Sequence, residues 1–584
     1  MQAHSLTKVP HTGIHLNQTL NLIPTTQLEV AGVIIIREEV TVRHDLIPQA
    51  VAVPQATAQD REALTVEVEA VLEADNIKKL TTMKKYIPHV LTVFLYSLGS
   101  YAQSMDDVLR YTRPELKGSA RYVSMGGAFQ ALGGDLSAIS DNPAAAAVFL
   151  NSELGVTINA MDNKIDANYF GVNNKLDSRS TDIDQFGVVL VLNDTKENDF
   201  VKVSFAYNYQ NEQVFNNKYN ARGTNPNRGL DDYFLTFASG VPYEDIKTYD
   251  DETVSDSYRY LGENRGFSAQ QAFMGFQGYM INPLVEEDSN TLYVTNSNPQ
   301  GNSVNHDFFV NQTGKNSKHS FTLAAQYKQN FYVGFSLNSY RSEFTRVDNL
   351  VENNYGLGST FNLTEFQNEL LTIGQGFSFQ LGALYKATNN IRMGLSYQSP
   401  TWYNMTDELQ QYIITNKSTG TDTVDPNIIN IYEYKMSTHS MYSGGLAYIF
   451  GSKGLISFQY DHASYQNSSF DVGNGDVNFI NQNEKIASTL KSAGTLKLGG
   501  EYRIDKLSLR GGFVNQQSIN KTSKDLNNGF SFGLGYDFGG SVLNLAISKM
   551  EIQRSESMYQ DGLTDPIKIN NDQIQFLVSY LLKL

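Results

Sequence analysis

The sequence predicts an all-β membrane protein, a 14-stranded antiparallel transmembrane β-barrel. Three observations predict it. Apolar and polar residues alternate with period two after Asn151, the connections between those runs alternate long and short, and an export signal precedes them. Mean hydropathy is −0.34. Barrel strands hide their apolar face in such averages, so this value does not argue against a membrane. No run of eighteen or more apolar residues is present, so no spanning helix is expected.

Composition removes several function classes. There is no cysteine, hence no disulfide framework, thiolate metal site or thiol nucleophile. A net charge of −16 speaks against nucleic acid as a partner. Charged residues make up 18% of the chain, and 34 Tyr and 32 Phe stand beside a single Trp.

Met83-Lys84-Lys85 opens a positive segment, Val90 to Leu98 is a short apolar run, and Ser100-Tyr101-Ala102 supplies small residues for a cut after Ala102. That order is a secretory signal peptide. The 82 residues before it, with His4, His11, His15 and His44, read as upstream sequence ahead of a true start at Met83. The rival is a genuine N-terminal extension in which Val33 to Ile36 packs as a strand. The expected division is therefore 1–82 leader, 83–102 signal peptide, 103–152 a Gly-rich segment, and 153–584 the barrel.

The segment Ala120 to Asn151 carries two glycine pairs, Gly126-Gly127 and Gly133-Gly134, then small apolar residues through Asn142-Pro143-Ala144. Paired glycines bend through backbone angles closed to other residues, and Pro143 stops a helix that reaches it. The pattern fits either a compact plug of short helical turns or a Gly-rich loop leading into a sheet.

Expected strands are 154–172, 184–193, 199–210, 318–329, 331–341, 375–387, 390–399, 441–450, 454–462, 493–503, 505–515, 529–538, 541–551 and 573–584. In one of them Phe530, Phe532, Leu534, Tyr536 and Phe538 share a face opposite Ser531, Gly533, Gly535 and Asp537. In a membrane barrel the first face meets lipid and the second lines the lumen. The expected long connections are 173–183, 211–317, 342–374, 400–440, 463–492, 516–528 and 552–572. The short ones include Asn330, Thr388-Asn389 and Gly539-Gly540. Sorting of this kind belongs to outer-membrane barrels, and the sheet must close because no open edge can sit in hydrocarbon.

No catalytic constellation stands out. His306, His319, His439 and His462 show no paired ligand spacing, and neither a nucleophile elbow nor a nucleotide loop is present. The chain reads as a non-enzyme without cofactor or metal. Gly266 to Leu284, with Phe267, Phe273, Met274, Phe276, Tyr279, Met280 and Ile281, reads as a largely apolar helical piece. Phe273 and Phe276 are candidates for an apolar landing groove; the other reading is ordinary packing over the barrel mouth.

Arg121 to Phe129, Leu132-Gly133-Gly134-Asp135 and Asn142-Pro143-Ala144 together resemble the N-terminal hatch of the FadL/TodX-type outer-membrane transporters of long-chain fatty acids and other hydrophobic compounds. Ser399-Pro400-Thr401-Trp402-Tyr403, Gln459 to Tyr465 and Thr495 to Arg503 resemble the same family. The resemblance implies a small N-terminal hatch plugging the lumen of a 14-stranded barrel. It implies gating or ligand contact at Arg121, Gly126, Gly127, Phe129, Gly133, Gly134, Asn142, Pro143 and Ala144, and a first ligand site on extracellular helices near Phe273 and Phe276. A carboxylate head could meet Arg121, Lys497 or Arg503, although ion pairing with Glu501 is the expected role of the last two. The implied partners are a fatty acid-like hydrophobic ligand, outer-membrane lipids of a Gram-negative-type bacterium and the barrel assembly machinery. The chain ends in Leu584, where many barrels end in Phe as the signal that machinery reads. The alternatives are a surface binding protein or adhesin displaying the 211–317 and 400–440 loops, and a haem-related receptor, for which a paired His/Tyr motif is lacking.

Overall fold

A computed structural model of the protein describes residues 103–113, 115–193, 199–473, 476–523, 525 and 527–584. The expected leader and signal peptide lie outside the described residues.

Alternation gives each strand two chemically different faces, and a closed sheet turns those faces into an outside and an inside. Fourteen antiparallel strands close in this way. In chain order they are β1 Glu153–Tyr169, β2 Val172–Asn193, β3 Phe200–Asn225, β4 Val304–Tyr327, β5 Phe331–Asn353 and β6 Phe361–Lys386. β7 comprises Ile391–Gln398 and Trp402–Lys417, and β8 comprises Gly420–Val424, Asn430–Ser437 and Met441–Ile449. The remainder are β9 Gly454–Ser464, β10 Ser492–Ile504, β11 Leu507–Gln516, β12 Asn527–Asp537, β13 Ser541–Ser557 and β14 Pro566–Lys583. Pairing of β1 with β14, from Glu153 opposite Lys583 to Asn168 opposite Lys568, seals the seam. Among the described residues no helix is long and apolar enough to cross a membrane.

The outward face carries the expected apolar belt. Phe530, Phe532, Leu534, Tyr536 and Phe538 are 42–64% exposed. Their nine-residue span is about 27 Å of strand, or roughly 20 Å upright at a 40° tilt, close to the apolar band of outer-membrane barrels. Exposed Phe200, Tyr385, Tyr448, Tyr502 and Tyr580 stand toward the short-turn ends of their strands, and Trp402, Tyr442 and Phe377 stand at the other margin. These are the two aromatic girdles such a barrel places at the interfaces.

Several strands run well past the expected boundaries, away from the short turns. Four of the expected long connections, 173–183, 342–374, 400–440 and 552–572, are therefore mostly wall. Residues 173–183 belong to β2, which meets β1 through the tight turn Phe170-Gly171, both at positive φ. Most of 400–440 is strand in β7 and β8. The cause is a phase inversion. On β1 the outward Val156 and Ile158 give way to Asp162, Lys164 and Asp166, while the inward Ile165, Ala167 and Tyr169 become the buried ones. The lower barrel is apolar outside, and its extension is apolar inside.

That inward apolar surface is filled by the 226–303 connection. Four helices, numbered α4–α7 after the three of the N-terminal segment, lie there: α4 Leu230–Ala238, α5 Tyr243–Ile246, α6 Val254–Asn264 and α7 Phe267–Gln277. They share one core with Tyr219, Phe308, Leu350, Phe366 and Ile413 of the wall. Burial of each large side chain there contributes on the order of 1.5–3 kcal/mol. One further helix, α8 Val477–Thr489, covers the lower part of the rim between β9 and β10.

Candidate functional site

The N-terminal segment folds as a plug inside the short-turn half of the barrel. Helix α1 is Met105–Arg110, α2 is Ala120–Ser124 and α3 is Ala138–Asp141, followed by a 3₁₀ turn at Pro143–Val148. Ser119 caps α2 by accepting the Tyr122 N–H, and the Asn142 side chain accepts the Ala144 N–H. Pro143 sits in the first turn, where its missing N–H leaves nothing unpaired. Gly126, Gly127, Gly133 and Gly134 all have φ between 63° and 71°. Only glycine takes this region freely, so both bends of the plug depend on these pairs.

The wall is shaped to receive this plug. Gly334, Gly382, Gly394, Gly445, Gly499, Gly512 and Gly533, one on each of β5, β6, β7, β8, β10, β11 and β12, face plug residues so closely that a Cβ would collide with them. A Cβ at Gly499 would stand 2.5 Å from the Met125 carbonyl oxygen, and one at Gly126 would stand 2.8 Å from the Phe513 carbonyl oxygen.

Polar latches complete the seat. Arg121 Nε donates to Glu501 Oε2 at 2.9 Å and its Nη1 donates to the Gly134 carbonyl at 2.9 Å. Glu501 is also held by Arg510 at 2.7 Å and by Arg503. The Phe129 and Gln130 N–H groups both donate to Gln459 Oε1, and Asn142 Nδ2 donates to the Gln130 carbonyl at 2.9 Å. Tyr122 donates to Asp141 at 2.6 Å. Burial, reinforced by that carboxylate, pushes the Tyr122 hydroxyl well above its usual range, so it remains a donor. Arg503 pairs with Glu501 as expected, but Lys497 does not. It reaches Asp461 at 2.9 Å and Asp141 at 3.9 Å, because four residues along a strand separate it from Glu501 by about 13 Å.

Between the plug and the helical cap lies a cavity of about 450 Å3. The tail that precedes the plug lines one side of it through Ser104, Leu109, Arg110, Arg113 and Leu116. Phe215, Phe344 and Tyr559 of the wall and rim, and Phe237 and Phe267 of the cap, line the rest. Glu115, Leu116 and Gln516 also border a chamber of about 30 Å3 that reaches Tyr122, Asp461 and Lys497. The cavity thus stands directly above the plug.

The expected site residues divide accordingly. Arg121, Gly126, Gly127, Phe129, Gly133, Gly134, Asn142, Pro143 and Ala144 come together in the plug, and none of them lines the cavity. Phe273 is fully buried in the cap core, and Phe276 packs against Tyr243 at 5.4 Å between ring centres. Neither forms an open groove: the aromatic side chains of α7 pack on Phe237, Tyr243 and Tyr258 of the other cap helices, which is the ordinary packing of the second reading. Sequence reading missed the tail and the upper wall residues Arg346 and Arg554. The charged run Asp106-Asp107 with Arg110, just beyond the expected signal peptide, was the available sign of the tail.

The cap is anchored by a buried polar knot. The Leu230 N–H donates to Glu352 at 2.7 Å, His306 Nε2 stands 2.9 Å from the same carboxylate, and Tyr355 donates to it at 3.2 Å. Burial, with Glu352 and Asp232 adding, pushes the neighbouring Asp231 carboxyl up to about 7. Among the described residues no group of His, Asp and Glu is arranged to hold a metal ion.

No family model and no curated protein matches the sequence. Solved structures do resemble it. The P. putida toluene transporter TodX is 13% identical, with 80% of this chain and 99% of that chain covered at a TM-score of 0.45. A Pseudomonas aeruginosa FadL homologue is 11% identical over 81% and 99%, at 0.48. The Ralstonia pickettii toluene transporter TbuX is 13% identical over 80% and 98%, at 0.42. At such identities and scores the likeness is one of fold and carries no further weight. These three are of the FadL/TodX type, the type that the hatch and strand motifs resemble.

Proposed function

We propose that this protein is a passive outer-membrane transporter for hydrophobic and amphipathic molecules, long-chain fatty acids being the class the family resemblance suggests. One observation carries the reading: a closed barrel with an apolar belt encloses a plug at its short-turn end and an aromatic-walled cavity directly above it. The volume falls in the usual range for small-molecule sites, and each buried methylene contributes about 0.8 kcal/mol without any catalytic group. No nucleotide loop supplies energy, so ligand binding shifts an equilibrium only by its differential affinity for the open and closed plug.

A sideways exit is part of the proposal. At the upper edge of the belt β3 loses register with β4 between Asn211 and Gln213. The tail seals that break: the Glu115 N–H donates to the Glu212 carbonyl at 3.4 Å, and Gln213 Nε2 donates to the Arg113 carbonyl at 2.8 Å. Movement of the tail would open the wall beside the cavity.

The test is uptake of labelled oleate and of a small sugar by cells carrying the Met83-start protein, its Asn142→Ala variant and a Val123 to Ala138 deletion. Oleate uptake that needs the intact plug, with sugar excluded by the parent, supports the reading. A folded, inserted parent that moves neither solute refutes transport of fatty acids. A surface-binding role draws support from exposed Leu284, Val285, Leu292 and Val294 on the cap, and adhesion that disappears with the cap while uptake persists would favour it.

A further inference from the structure

The cavity holds more negative than positive charge. Seven carboxylates and four guanidiniums line it, and no lysine does. Three of the guanidiniums are committed to carboxylates: Arg110 to Asp107 at 2.9 Å, Arg346 to Asp348 at 2.8 Å and Arg554 to Glu556 at 3.4 Å. Glu115 is held by Lys117 at 3.5 Å. That leaves one guanidinium, Arg113, against three carboxylates, Asp106, Asp407 and Asp561, none of which has an ion-pair partner among the described residues. Asp407 is 2% exposed and accepts hydrogen bonds from Thr372 at 2.6 Å and Gln103 at 3.1 Å. These are neutral donors, and neither forms an ion pair with it.

The aromatic lining points the same way. Six aromatic side chains border the cavity: Phe215, Tyr233, Phe237, Phe267, Phe344 and Tyr559. The face of Phe344 already carries a cation, the Arg110 guanidinium, 3.8 Å from the ring centre. Aromatic faces attract cations, and a surplus of carboxylates in a partly dry site attracts cations and repels anions.

We propose that the cavity selects amphiphiles whose head is a positively charged nitrogen, such as alkyl- or arylamines, over those with a carboxylate head. The apolar body lies among the aromatic rings and the head is directed to Asp407 and Asp561. The proposal rests on the transport reading above and narrows its substrate.

The test is calorimetric titration of the full chain in nonionic detergent micelles at neutral pH with octylammonium, octanol and octanoate, empty micelles being subtracted. Octylammonium is expected to bind about tenfold or more tighter than octanoate, with octanol between them. The Asp407→Asn, Asp561→Asn double variant is expected to narrow that ratio to about threefold or less. Because the parent alone sets the ranking, a variant that fails to fold leaves the test intact. Octanoate binding as tightly as octylammonium overturns the proposal and leaves the transport reading standing. Absence of binding by all three overturns both.

Discussion

Glu501 shows what a single side chain does here. It is buried, and three arginines, one from the plug and two from the wall, converge on its two oxygens. A buried carboxylate is tolerable only with such partners, and removing it strands their charges. Glu501→Gln is therefore expected to destabilise the seated plug by about 3–5 kcal/mol, the range for breaking a buried pair. Hydrogen exchange at Ala120–Ser124 measures this, and unchanged protection would mean that the pairs are incidental. Lys497 teaches the complementary lesson. Its place on the inward face was legible from the alternation, but its partners, Asp461 across the strand and Asp141 from the plug, are set by register and by a contact across 356 positions of chain.

Among the elements, the plug and its glycine seats act as one unit. Gly394→Val places a branched side chain where the Gln130 backbone lies, on a barrel strand that cannot yield without losing its pairing. The expected outcome is an unseated plug and a severalfold rise in small-sugar leak in a liposome swelling assay. Gly540→Val, in a hairpin with nothing within 4 Å, is the control and should leave leak unchanged. The order and number of strands were legible because a two-residue period survives any tilt or twist. Their upper ends were not, because the reading assumed one apolar face per strand. On β1 the apolar residues change sides near Met161, where the strand leaves lipid and begins to enclose protein, and a window that straddles the inversion averages to nothing. The plug was legible as bends and small residues, whereas its glycine partners in the wall look like ordinary strand glycines until the sheet closes.

At the scale of the molecule, two hydrophobic surfaces share one cylinder: a belt facing lipid, and a core above it in which the wall encloses the cap. The plug has its own core, separate from that of the cap. Deleting Leu230 to Thr295 is therefore expected to expose Tyr219, Phe308 and Phe366, so that the upper wall becomes protease-sensitive. The belt and plug should stay protected, and limited proteolysis in membranes should yield a trimmed but still inserted barrel. Loss of the whole barrel would instead show that the two cores are one cooperative unit. The seam has a consequence for how the parts come together. The plug leads the chain out, yet Ala120 donates to Ser579 on the last strand while the seats lie on strands from the middle of the chain. A stopper bearing on both early and late staves, with backbone against backbone, cannot be pushed in once the hoop is tight. Biogenesis must gather the staves around the stopper and leave the joint between first and last until the end.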